Sequence, residues 1–137
     1  MAREMTIGGL AKAAGVGVET VRYYHRLGLI HEPEKPSGGQ RRYSDASVRD
    51  LAFIRRAQQL GFTLAEIKEL LALAAGNDRH AVRRIAEQRY SRLALQAKQL
   101  SAMRRALGML LTKSRRHRGK GPDPIIAALR GEPQARA

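Results

Sequence analysis

Apolar positions recur at helical spacing along most of this chain, and glycines divide them into blocks. In TIGGLAKAAGV, Ile7, Leu10, Ala11, Ala14 and Val16 follow Thr6, a good N-cap, and the block stops at Gly15. A short first helix is predicted. After the Gly15-Val16-Gly17 turn, VETVRYYHRLGLI sets Val18, Val21 and Leu27 on one side, with Thr20, Arg22, Tyr23 and Arg26 largely elsewhere, and ends at Gly28. Two short helices about a glycine turn predict a helix-turn-helix.

HEPEKPSGGQRRYS carries two prolines and two adjacent glycines before Gln40-Arg41-Arg42-Tyr43. Turn chemistry followed by a short extended segment predicts a two-stranded wing. Ser44-Asp45 caps a third helix, with Val48, Leu51, Ile54 and Leu60 inward and Arg49, Arg55 and Arg56 outward, ending at Gly61. Thr63 opens a fourth, where Thr63 and Glu66 fit a capping box and Leu64, Ile67, Leu70 and Leu71 form the stripe up to Gly76.

From Asp78 to Thr112 there is no proline and only one glycine, Gly108, so one long helix is predicted. Leu93, Leu100 and Leu107 recur every seven residues. Val82, Met103 and Leu110 occupy the complementary position, which Arg89 and Gln96 interrupt. A single long seam cannot bury itself, so a homodimer helix, parallel or antiparallel, is favoured over packing within its own domain. The organisation expected is 1–76 DNA-binding, 77–112 dimerisation, 113–130 loop and short helix, and 131–137 disordered tail.

Charge narrows the partner. The 26 lysines and arginines against 12 acids leave a net charge of +14, which favours a polyanion, nucleic acid first. In a helix-turn-helix the second helix can enter the major groove, where Thr20 and Arg22 can reach base edges or phosphates. Tyr23 and Tyr24 offer phenol hydroxyls to phosphate oxygens, although one of the two must face inward. Arg41 and Arg42 bring guanidinium groups to the backbone, with Tyr43 beside them for stacking or a hydroxyl contact. No apolar run is long enough for a membrane span and no signal-peptide core opens the chain, so a cytoplasmic protein is expected.

Cysteine is absent, which excludes disulfides and thiolate metal sites. Neither an HExxH pattern nor a phosphate-binding glycine loop is present, and the histidines at 25, 31, 80 and 117 lack ligand spacing. An enzyme is the least supported class; a nonspecific or architectural nucleic-acid-binding protein is the rival to a specific regulator.

TIGGLAKAAGVGVETVRYYHRLGLI, GGQRRYS and FIRRAQQLGFTLAEIKELL together resemble the MerR family of bacterial transcription regulators over nearly the whole chain. The resemblance implies a mostly α-helical winged helix-turn-helix with a long antiparallel coiled-coil dimerisation helix and a short C-terminal effector loop. It also implies a homodimer on double-stranded, pseudo-palindromic promoter DNA, which it bends and untwists for RNA polymerase in response to an effector. Its mercury-responsive branch places three cysteines at and after the long helix. Aligning Pro124 to Leu129 on that branch's proline-aliphatic run puts Arg79, Ser114 and Asp123 at those positions. A thiolate-bound soft ion therefore does not carry over. Three readings of this region remain: an oxygen and nitrogen metal site from Asp78, His80, His117 and Asp123; an anion site with Arg79, Arg115, Arg116, Arg118, Lys120 and Ser114; or no effector, with Ile125, Ile126 and Leu129 simply packing.

Overall fold

The computed structural model describes residues 4–133, which form six helices. They are α1 (Ile7–Ala14), α2 (Val18–Arg26), α3 (Asp45–Gln59), α4 (Leu64–Leu73), α5 (Arg79–Arg116) and α6 (Pro124–Leu129). The chain divides into two compact units, Met1–Arg89 and Tyr90–Ala137. The expected boundary at 76/77 follows the end of a helix, whereas the units divide inside α5. Ala81, Ile85 and Arg89, one stripe at four-residue spacing, are buried and belong with the first unit.

In the first unit, Thr6 Oγ1 accepts the Gly9 amide at 3.1 Å and starts α1. Gly15 closes it at φ 71°, where its amide and that of Val16 return to the carbonyls of Lys12 and Ala11. A side chain at Gly15 would be strained at that φ and would also press on the Arg55 guanidinium 3.0 Å away. Arg55 uses that proximity, donating to Ala14 O at 2.8 Å, so α3 clasps the turn of the helix-turn-helix. The core joins Leu10, Ala11, Val21, Tyr24, Leu29, Ile30, Tyr43, Leu51, Ile54, Ala57 and Ile67.

Two apolar assignments change. Leu27 and Leu60 are exposed, because each lies beyond the last full turn of its helix, and Tyr24 and Ala57 take the inward positions one turn earlier. The wing also differs. Among the described residues the segment before Tyr43 forms no two-stranded ladder; instead one antiparallel bridge joins Tyr43 to Met5, with reciprocal amide-to-carbonyl bonds of 2.8 and 2.7 Å. Pro33 and Pro36 lack the amide donors a leading strand would need.

The capping box of α4 is complete: Thr63 Oγ1 accepts the Glu66 amide at 3.1 Å and Glu66 Oε1 accepts the Thr63 amide at 2.8 Å. The same Glu66 oxygen accepts from Arg89 at 2.9 Å. Arg89 is 8% exposed, with its Nε buried and unpartnered among the described residues. The polar break at Arg89 is thus an ion pair.

The second unit contains the rest of α5 and α6. Its seam residues Leu93, Leu100, Met103 and Leu107 are exposed, Leu100 at 62%. Asp123 caps α6, accepting the Ile125 amide at 2.8 Å. Gly131, at φ 75°, and Glu132 close that helix with amide bonds to Ala128 and Ala127, so these two residues end α6 and do not begin the expected tail. The remainder of that expectation, 134–137, lies outside the described residues.

Candidate nucleic-acid interface

The candidate surface is built from side chains of α2 and the loop after it. Thr20 is half-buried, and Arg22 and Tyr23 are exposed. Arg22 pairs with Glu19 at 2.9 Å on the surface. Arg26, one turn on, lays its guanidinium 5.7 Å above the Tyr23 ring. Between this face, the start of α1 and the loop runs an open groove of about 670 Å³. Arg22, Arg26, Lys35 and Arg41 line it against a single acid, Glu32. Such a lining suits a phosphate-bearing ligand.

Tyr24 and Tyr43 are not available as DNA contacts. Tyr43 is 1% exposed and Tyr24 5%, and each phenol is used internally, Tyr24 on Gln58 and Tyr43 with His25 Nε2, both at 3.3 Å. Val21 and Tyr24 share the inward face of α2, and the bridge to Met5 turns Tyr43 inward. Tyr43 stacks flat on the His25 ring, 5.6 Å between centroids and 7° between planes. Burial holds the His25 pKa below its ordinary value despite nearby Glu32 and raises that of Tyr43. A neutral imidazole and neutral phenol therefore form the floor under the cationic groove.

Arg41 and Arg42 are neighbours with different roles. Arg41 is half-buried, donating from Nε to Pro33 O at 2.9 Å and pairing with Glu32 at 3.0 Å, which fixes the loop. Arg42 is exposed and makes no such bond among the described residues, leaving its five donors for a ligand. Arg26 and Lys35 are lining residues that the sequence pattern does not single out as contacts. Arg26 was legible, four residues after Arg22 on the same helical face; Lys35 lies in an aperiodic proline-containing loop that gives no facing.

Around the C-terminal loop, two of the three positions singled out do meet. Ser114 Oγ donates to Asp123 Oδ2 at 2.6 Å, and the Asp123 pKa is lowered, first by Ser114 and then by the Ile125 amide. His117 is half-buried, with Nε2 enclosed and unpartnered among the described residues. Arg79, with Asp78 and His80, belongs to the other compact unit, where Asp78 caps α5 by accepting the Ala81 amide at 3.1 Å. Among the described residues no three His, Asp or Glu side chains gather as metal ligands.

Two short helices about a glycine turn, clasped by a third and bordered by a cationic groove, define a helix-turn-helix DNA-binding protein. The family described as MerR HTH family regulatory protein matches residues 5–74, and that described as MerR, DNA binding, matches 48–110. The mercuric resistance operon regulatory protein of Serratia marcescens is 42% identical over 132 residues, spanning 96% of this chain and 92% of its own. The lead(II) complex of the transcription regulator PbrR691 from Ralstonia metallidurans CH34 superposes with a TM-score of 0.78 at 29% identity, over 90% of this chain and 98% of that one. EcmrR, solved by cryo-electron microscopy in an EcmrR–DNA complex, superposes at 0.71 with 25% identity, over 84% of this chain and 41% of that one. The chain belongs to the MerR family of transcription regulators. Mercury(II) is a soft ion that favours thiolates, and with no cysteine and both Asp123 oxygens already accepting hydrogen bonds, these residues do not fit such an ion.

Proposed function

We propose that this MerR-family regulator binds a pseudo-palindromic promoter as a homodimer and controls transcription by distorting the DNA. The observation that carries the reading is the cationic groove beside α2, with Arg42 exposed next to the groove residue Arg41. Thr20 and Arg22 read or flank the bases, Tyr23 and Arg26 act as one stacked unit against a phosphate, and Arg42 contacts the backbone. Arg41 positions the loop. The exposed leucine seam of α5 supplies the second half of the dimer, which places two reading helices on a dyad-symmetric site. Distortion of the site, in the range of about 1 to 6 kcal/mol, is the lever by which such a dimer acts on RNA polymerase at the promoter. That work is cytoplasmic, and no residue is assigned a catalytic role; no helix among the described residues is long and apolar enough to cross a membrane.

An effector role for Ser114 and Asp123 is supported by their hydrogen bond, and one for Arg79, at the start of α5, rests on the sequence resemblance alone.

Selection from a random duplex library tests the function. Enrichment of one dyad-symmetric sequence supports a specific regulator; recovery of unrelated sequences would return the chain to the nonspecific class.

A further inference from the structure

The net charge of this protein is concentrated in the second compact unit. Tyr90–Ala137 contains eleven lysines and arginines against two acids, Asp123 and Glu132. Between Glu87 and Asp123 no acidic residue occurs at all, while ten cations do. A solvated helix face ordinarily interleaves both signs, because unrelieved like charges destabilise it. Lys113, Arg115 and Arg116 in the last turn of α5 oppose the negative end of the helix dipole, which accounts for part of the excess. Arg92, Lys98, Arg104 and Arg105 stand too far from that end for the same explanation.

Lys98, Arg105 and Arg116 are separated by seven and eleven residues, so at about 100° per residue they fall within about 20° of one line along α5. Their line lies on the side of the helix opposite Leu93, Leu100 and Leu107. All three are exposed and make no hydrogen bond or ion pair among the described residues. A dimer closing on the leucine seam leaves them outward, and at about 1.5 Å per residue they span roughly 27 Å, enough to meet several phosphates.

We propose that the outward face of α5, centred on Lys98, Arg105 and Arg116, is a second, sequence-independent binding surface for the phosphate backbone of duplex DNA outside the operator. It adds electrostatic affinity and holds a second duplex. The acid-free length of the surface fits a continuous polyanion, whereas a folded protein partner presents acids interspersed with cations and apolar groups.

The test uses the full-length dimer and a mixed-sequence duplex lacking the operator, titrated over a range of salt. The triple variant Lys98→Gln, Arg105→Gln, Arg116→Gln is expected to lower the slope of log K against log salt by about two to three for a duplex engaging one face of the dimer, near 0.9 for each phosphate no longer neutralised. The charge-keeping variant Lys98→Arg, Arg105→Lys, Arg116→Lys is expected to retain the wild-type slope, which separates loss of charge from loss of folding. Preference for the selected operator persists in both, so failure here is distinguishable from failure of the promoter reading on which this surface builds. Capture of a labelled operator-free duplex by the operator-saturated wild-type dimer, lost in the Gln variant, is expected, and no capture by the wild type overturns the proposal. Equal slopes for wild type and the Gln variant overturn the proposal, and equal slopes with loss of binding to polyglutamate overturn it in favour of an acidic protein partner.

Discussion

Ser114 donates its hydroxyl to Asp123 across 2.6 Å, tying the last turn of α5 to the N-cap of α6. The bond joins two of the positions where the sequence resemblance places cysteines, and closes the intervening loop with side chains the chain itself supplies. Because the Asp123 pKa is lowered on folding, its contribution is present above the ordinary aspartate value and lost as pH falls through the lower folded value. The Ile125 amide resonance should therefore titrate with a midpoint below the ordinary aspartate value. Ser114→Ala should move that midpoint upward, and a midpoint indifferent to the substitution would remove Ser114 as the main cause.

Glu66 links the capping box of α4 to Arg89, so its removal does two kinds of damage. Glu66→Ala loses half the box, worth about 1 kcal/mol, and leaves a mostly buried guanidinium without its carboxylate. Glu66 is itself partly solvated, which softens the second cost. Urea unfolding should show a combined loss of about 2 to 3 kcal/mol. The double variant Glu66→Ala, Arg89→Met should recover part of it; additive losses in a double-mutant cycle with the two single variants would show that the pair is not coupled.

Arg42 and Arg41 separate DNA contact from loop positioning. Arg42→Ala should weaken binding to every duplex and lower the salt slope by about one, with thermal stability unchanged. Arg41→Ala should lower stability as well, since Pro33 O and Glu32 lose their partner. Unchanged binding by the Arg42 variant at low salt would remove it from the phosphate contacts.

His25 sits with its side chain 4% exposed, and burial lowers its pKa on folding. The unfolded chain then binds a proton first, so stability is full above the unfolded value of about 6.5 and declines as pH falls through the lower folded value. As pH is lowered below about 6.5, denaturation midpoints should fall in the wild type and fall less steeply in His25→Gln. An identical pH slope in the two proteins would assign the acid sensitivity elsewhere.

Much of this was legible. Thr6, Gly15, Gly28, Thr63 and Glu66 mark helix ends through local hydrogen bonds that need only near neighbours, and the structure places helix ends at them. The periodicity of Leu93, Leu100 and Leu107 likewise gives a long helix with one apolar line. What the pattern could not supply depends on distant segments. Tyr43 is buried because Met5 pairs with it from far back in the chain, and Arg89 reads as a flaw in the heptad until Glu66 is seen beside it. The two strands of the wing do not form because turn residues signal a reversal of the chain but not the amide donors that Pro33 and Pro36 lack. In the candidate interface, helical facing identified Arg22 and could have identified Arg26, while the difference between Arg41 and Arg42 emerges only from the folded loop.

The most direct measurement of the central claim is a competition titration at one fixed salt concentration, comparing the selected dyad-symmetric duplex with mixed-sequence DNA of the same length. A sequence-specific regulator should favour its site by about a thousandfold or more, with two chains per duplex. Equal affinities would contradict promoter recognition and leave a protein that binds DNA by charge alone.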